Sequence, residues 1–576
     1  MVIITTTVSV FAAVDPSAYR ETMVSRLEKK DLKGEVFSWE AKFGIEAYIE
    51  GHYAFNDKKW LDEAVKYYDW LISKMEKEPD GYMGWLGPLP KDKSGVFGSD
   101  VVGDGNLIDQ MLKFSEIVLK DPALKSVYGK KAEEYVNLAK KTLIDKWDDK
   151  KCWYVDGRFG VYLNPSMWVD KTDPAKWIIK EELKESDNLN KHARMGTAFL
   201  KLYRLTKDPV YKERAEKIFG HYKSIMNYYK DENRYVWNFW EPFGPFDVVT
   251  VDGKAQPRKW VAVHPTSKHY QNLETKMIVE AYHTGVVFTE EDMKRILNTN
   301  LWMWNKSFDD PQFKSADGST NAGALWDALV DFDDTIRKLY AKEFELKGKL
   351  KEKDEMSLAY FKNVVMKEPP GFKRKYVEGD VKLPDITVYP SKEISMAVAI
   401  PAHISLSKNE KTAIMCKINK GVNGDLKVGL YSGDGKTLVA GLMEEKVSIA
   451  GKQDKSGGKA KEKKKDNEEK KGKKEKKENK KGSKDKDSGY FPAIKIDSSV
   501  FASFEMAAAD DENAGGSDDE DSAAELTKQA RTDEAQIFSI KWDGKDKAGK
   551  FVPAGNYLIR WNINDSQKEV QITVEK

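Results

Sequence analysis

The chain has 576 residues, more than one ordinary hydrophobic core organises, so two domains plus linkers are expected. Hydrophobic residues at 40% and charged residues at 33% exclude disorder of the chain as a whole, and a net charge of +2 hides strong local asymmetry. Two cysteines, Cys152 and Cys416, exclude a disulfide framework and offer no metal-binding spacing, and no apolar run is long enough to span a bilayer.

Residues 1–14 are apolar and end in small side chains, the pattern of an export signal without its basic start. From about 36 to 345 the pattern is helical and repeats. An apolar helix ends, a polar turn follows, an aromatic residue comes next and a second amphipathic helix begins. The instances are 46–72, 111–143, 197–225 and 277–304, and Asp57, Asp121 and Asp208 stand where they can cap the second helix. Hairpins of this kind bury their faces by stacking, and a closed stack, an α/α toroid over 15–365, is expected, with an open array of hairpins as the alternative. The loops GYMGWLGPLP (81–90), VFGSDVVGDGN (96–106), WNFWEPFGPFD (237–247) and KWVAVHPTSKHYQN (259–272) precede the inner helices. They are long and aromatic, as a binding rim is, and should gather on one face of the ring.

The Pro-rich stretch 366–390 reads as a linker. From 391 to 576 alternation and β-branching predict strands, with a turn at Ser432-Gly433-Asp434-Gly435. The strand pattern breaks at about 451–533. Residues 451–489 hold 17 Lys against 9 acidic residues, and 505–525 hold nine acidic residues and no basic one. Neither tract can bury apolar surface, so a disordered, self-compensating insert is expected in place of a nucleic-acid site. The strands resume at 536–564. There Trp542-Asp543-Gly544, Asp546, Ala548-Gly549, Val552-Pro553, Gly555, Tyr557 and Arg560 resemble the Ig-like domain of the flagellar hook-capping family, also found at the C-termini of exported bacterial enzymes. The resemblance implies an accessory Ig-like β-sandwich interrupted by the charged insert, with cell-surface association through this domain.

Several chemistries lack their motifs. Ser432–Thr437 imitates a phosphate loop, but Leu430 stands where its first glycine belongs. No dinucleotide fingerprint, HExxH or GxSxG occurs. No cofactor is expected, although a Ca²⁺ site of scattered carboxylates would leave no motif. What remains is polar and aromatic. Asn188, Asn190, His192 and Arg194 open one inner helix. His264, Lys268, His269 and Tyr270 lead into another, and Trp39, Glu40, Trp85, Asp104, Trp240 and Glu241 stand near other loops.

With its hairpins and aromatic loops, the helical half resembles the α/α-toroid carbohydrate enzymes: uronate-polysaccharide lyases, glucuronyl epimerases and six-hairpin glycosidases. The resemblance implies a secreted, periplasmic or surface protein of a bacterium that acts on an anionic polysaccharide. In a lyase, Asn190, His192 and Tyr270 would take the parts of the family's Asn, His and Tyr. β-Elimination needs the uronate carboxylate neutralised, by Asn188, Asn190 or Arg194, a base from His192 or His264, and an acid from Tyr270. A hydrolase needs two carboxylates instead, from among Glu40, Asp104, Glu241 and Asp317. A lyase is the first expectation; a hydrolase, an epimerase and a non-catalytic glycan binder are the alternatives.

Overall fold

A computed structural model describes residues 15–88, 96–163, 167–170, 177–179, 184–259, 261–263, 270–346, 363, 367, 369–449 and 535–576. The expected signal segment at 1–14 and the charged insert at 451–533 lie outside the described residues.

The helices are α1 (Pro16–Lys29), α2 (Gly34–Phe55), α3 (Lys59–Ser73), α4 (Val101–Lys120), α5 (Pro122–Lys140), α6 (Lys146–Asp149), α7 (Leu189–Thr206), α8 (Pro209–Ile225), α9 (Tyr270–His283), α10 (Glu290–Met303) and α11 (Asp334–Leu346). Their starts are written locally. Asp15, Asp100, Asp121 and Asp208 accept backbone N–H groups of the first turn, three of them followed by a proline that fits the first helical position. Asn56 and Lys207 end α2 and α7 in the left-handed conformation, at φ 52° and 61°. The α2–α3 and α7–α8 hairpins then close on glycines. A Cβ at Gly51 of α2 would stand 2.3 Å from the Trp60 ring of α3, so only glycine permits that approach.

α2, α4, α7 and α9 form the inner layer, with α3, α5 and α8 packed outside the first three. Ion pairs show that the inner helices run parallel. At one end Lys191 of α7 meets Glu35 of α2 and Asp100, the cap of α4. At the other, Arg204 of α7 meets Glu116 of α4 and Glu280 of α9, and Lys113 of α4 meets Glu50 of α2. That far end is covered by the chain around Tyr376, whose ring lies 4.1 Å from the Arg204 guanidinium. The stretch read as a linker is therefore packed along the helical domain where it is described: Phe372, Ile386 and Val388 join its core. Proline content misled here, because the apolar residues between the prolines had a surface to cover.

The C-terminal strands are β1 (Ile394–Ile400), β2 (His403–Ser405), β3 (Thr412–Ile418), β4 (Asn423–Ser432), β5 (Leu438–Ser448), β6 (Gln536–Trp542), β7 (Gly555–Ile563) and β8 (Ser566–Glu575). They form a three-stranded sheet in the order β1-β3-β6 and a five-stranded sheet in the order β2-β8-β7-β4-β5. Both faces contribute to one apolar core around Trp561, Leu430, Ile414 and Phe538. β5 and β6, which flank the charged tract in sequence, belong to different sheets of this same domain.

β1 does not alternate cleanly because both of its faces are covered. Ala397 and Ala399 face the core, while Met396, Val398 and Ile400 pack with Met415 against Phe239, Trp240 and Val261 of the helical domain. Asn227 and Asn238 both donate to the Ser395 carbonyl, at 3.1 and 2.8 Å, and Lys417 and Lys568 donate to the carbonyls of Val261 and Ile225. The β domain is thus fastened to the loop that carries Trp240. Among the described residues no helix is long and apolar enough to cross a membrane.

Candidate active site at the mouth of the helical layer

The starts of α2, α4 and α7 converge on one ammonium. Lys191 Nζ lies 3.0 Å from Glu35 Oε1, 3.7 Å from Asp187 Oδ1 and 3.9 Å from Asp100 Oδ2. Asp100 Oδ2 and Asp187 Oδ1 are therefore less than about 8 Å apart, a bound compatible with the carboxyl separations of glycoside hydrolysis. The three carboxylates differ in what else they touch. Glu35 accepts from Lys191 with both oxygens and from the Trp39 indole at 3.1 Å. Asp100 spends Oδ1 on the Val102 N–H. Asp187 Oδ2 has no hydrogen-bond partner among the described residues.

Burial pushes the Asp187 carboxyl up to about 7, with Lys191 opposing and Asp100 adding to the rise. Glu35 is raised by burial in the same way, again against the pull of Lys191. Lys191 is held well above the usual lysine range by the three anions around it, which outweigh its own burial.

The segment that carries Asp187 is pinned from every side. Asp247 accepts the Ser186 N–H at 2.8 Å, the Trp240 indole donates to the Ser186 carbonyl and hydroxyl, and Lys259 pairs with Glu185 at 2.8 Å. His192 accepts the Tyr162 N–H on Nδ1 at 3.1 Å, and a hydrogen bond ties it to the Asp187 backbone. Burial pushes its imidazole down to about 3. With Nδ1 occupied by the Tyr162 N–H and its basicity lowered by burial, His192 is a weak candidate for the base expected of it, and it packs against the segment that carries Asp187.

The other expected residues scatter. Trp39 stands partly exposed at the mouth, and Asn188 caps α7 without a side-chain capping bond. Asn190 is buried with Oδ1 unpartnered, and Arg194 pairs with Asp109 at 3.2 Å. Tyr270 begins α9 with its ring 5.5 Å from Phe239, beside the domain interface. Four residues lie elsewhere. Glu40 holds Arg26 and Lys30 of the α1 connection. Trp85 is buried, donating to the Leu71 carbonyl. Asp104 is locked between Lys146 at 3.0 Å and the Trp147 indole. Glu241 sits at the interface with the β domain, bonded to Asn238, where burial raises it to about 7 and Lys568 opposes. Trp240 serves the site through its indole N–H, since its ring is buried. His264, Lys268 and His269 lie outside the described residues. Asp317 accepts from Ser315 and Ser319 within its own loop.

Sequence reasoning missed Glu35, Asp100, Asp187 and Lys191 as a group. A signal was present. Glu35, Trp39, Lys42, Glu46 and Glu50 recur at helical spacing on α2; Asn106, Asp109, Lys113 and Glu116 on α4; Asn190, Arg194, Thr197, Lys201 and Arg204 on α7. A polar stripe of this length on three helices that are otherwise buried marks a polar interior.

No protein-family model and no curated protein matches the chain. Solved structures similar to it include a family 76 glycoside hydrolase (mannosidase) of Bacteroides thetaiotaomicron VPI-5482, at TM-score 0.32 and 12% identity over 56% of this chain and 69% of that one. A family 76 glycoside hydrolase from a bovine strain of the same species overlaps at TM-score 0.31 and 11% identity, over 57% and 55%. An inactive variant of an α-1,6-mannanase of Salegentibacter sp. HEL1_6, in complex with α-1,6-mannotriose, overlaps at TM-score 0.28 and 13% identity, over 60% and 85%. Overlaps this slight do not fix an activity, which rests on the chain's own residues.

Proposed function

We propose that the protein is a glycoside hydrolase whose reacting pair is Asp187 and Asp100. One observation carries the reading: the buried Asp187 carboxyl, raised by burial to about 7, turns Oδ1 toward the same ammonium as Asp100 and keeps Oδ2 without a partner among the described residues. A carboxyl kept protonated near neutrality is what protonation of a glycosidic oxygen requires. Asp100 Oδ2 then acts as the carboxylate that activates water or attacks the anomeric carbon. Lys191, clamped by Glu35, holds both in place, and the exposed part of Trp39 offers a face to a sugar ring. The two carboxyls at one ammonium favour the hydrolase alternative over elimination, for which His192 is a weak base and His264 lies outside the described residues. The same reading takes the helical layer as a closed α/α toroid, the β domain as an Ig-like accessory and the protein as exported.

The test is incubation with a panel of glycans, assayed for new reducing ends and for unsaturated uronate absorbance. Reducing ends without absorbance, lowered about 10²- to 10⁴-fold in Asp187→Asn and in Asp100→Asn, are the expected result. Unsaturated product that vanishes in Tyr270→Phe overturns hydrolysis in favour of elimination.

A further inference from the structure

Below the carboxylates the helical interior holds a lysine that forms no ion pair among the described residues. Lys42 lies two turns below Glu35 on α2, about 10 Å deeper along the axis. It is buried, with Nζ 4.6 Å from the Trp39 ring and 5.3 Å from the Phe43 ring, and no ion pair reaches it among the described residues. Its neighbours are already committed. On α4, Asp109 is shared between Arg194 at 3.2 Å and Lys201 at 2.7 Å, both of α7. On α9, Lys276 pairs with Asp327 at 3.1 Å. Glu46, one turn along α2, is the remaining anion whose field reaches Lys42.

Buried polar atoms on the same faces have no partners among the described residues: both side-chain atoms of Asn106, Gln110 Oε1, Asn190 Oδ1 and Arg194 Nε. Asn106 stands one turn before Asp109 and Gln110 and two before Lys113, so it shares their inward face. Isolated buried polar atoms are costly, and several on one interior wall are partners that a polar guest would satisfy.

We propose that this interior wall is a subsite for an anionic substituent of a sugar, a carboxylate or a sulfate ester, held by Lys42 and Arg194 Nε with Asn106 and Asn190 on the ring hydroxyls. The inference rests on the glycan reading and narrows it to acidic glycans. The incoming anion supplies the ion pair that Lys42 lacks among the described residues. Burial, with Arg194 and Lys276 adding and Glu46 and Asp109 opposing, lowers the free amine to about 7, so binding near pH 8 takes up a proton.

Calorimetric titration of the full chain with glucuronate, glucose 6-sulfate and glucose tests this. The anionic sugars are expected to bind at least about tenfold more tightly than glucose. Proton uptake, read from buffers of different ionisation enthalpy, approaches one at about pH 8 and falls at about pH 6, where the amine is already charged. Lys42→Met is expected to lose both the anion preference and the uptake; Lys42→Arg keeps the preference and loses the uptake. The tighter of the two anions identifies the substituent. Equal affinity for glucose and both anions, or an unchanged preference in Lys42→Met, overturns the subsite. Should Lys42→Met fail to fold, absence of uptake in the wild-type protein near pH 8 overturns it alone. Binding is measured without turnover, so a Lys42-dependent preference with no glycan cleavage defeats the hydrolase and leaves the subsite. Cleavage of neutral glycans without any preference does the reverse.

Discussion

The inner helical layer and the β domain bury their residues on opposite terms. In the β domain the two sheets meet through Trp561, Leu430, Ile559 and Ile572, and only Glu393 Oε2 and Thr412 Oγ1 lack hydrogen-bond partners among its described residues. In the helical interior Lys, Arg, Asp and Glu are stacked from Glu35 down to Arg204, and unpartnered buried atoms cluster along one wall. Apolar burial favours a unique packed state. Buried charge costs desolvation and is retained where chemistry or binding uses it. The comparison teaches that stability is concentrated in the β core and in the apolar seams between helices, while the proposed chemistry draws on the polar helical interior.

The comparison can be broken most directly at Asp187. Asp187→Asn should lower kcat about 10³-fold while leaving the melting temperature level or higher, since a buried ionisable group is removed. A large loss of stability with full specific activity would make the lumen a structural network. Trp561→Ala should do the opposite. Removing that ring costs about 3–5 kcal/mol by denaturant titration, with kcat per folded molecule unchanged. A smaller effect tests the seams: Gly51→Ala forces a methyl into the Trp60 ring and should cost about 1–3 kcal/mol without altering substrate affinity.

The last two are pH effects. His192 and His221 are both held near 3 by burial, below the unfolded value. The unfolded chain then binds more protons in acid, so their contribution is intact above about pH 6.5 and is lost as pH falls, by about 2 kcal/mol each on reaching pH 5. Urea midpoints across that range check it, and His192→Gln should flatten the slope. For catalysis the sign reverses. Asp187 must be protonated, so kcat should fall as pH rises through about 7, and this limb should vanish in the residual activity of Asp187→Asn.

Much of the fold was legible because its signals are local. Asp121-Pro122 and Asp208-Pro209 announce helix starts, β-branched runs announce the strands of the β domain, and the aromatic loops 96–106 and 237–247 meet the starts of α4 and α7. The site was less so. Asn190, Arg194 and Trp39 were found near it because they open inner helices, yet the roles went to His192, Glu40, Asp104 and Glu241, which the fold spends on a backbone contact, a helix seam, a buried ion network and the domain interface. Residue type at a helix start says which groups are available. Which of them keeps an unpartnered atom depends on neighbours more than 80 residues away, as Lys191 to Glu35 shows at a separation of 156.

By itself the sequence determined the division into a helical half and a β half, the hairpin register and the end of the inner helices at which polar and aromatic residues gather, since caps, periodicity and turn chemistry act over a few residues. Only the tertiary structure decided that Glu35, Asp100 and Asp187 share one ammonium, that His192 is buried against the Tyr162 backbone, and that the Trp240 loop is clamped between Asp187 and the β domain. Burial and Coulomb fields are set by groups brought together from distant parts of the chain.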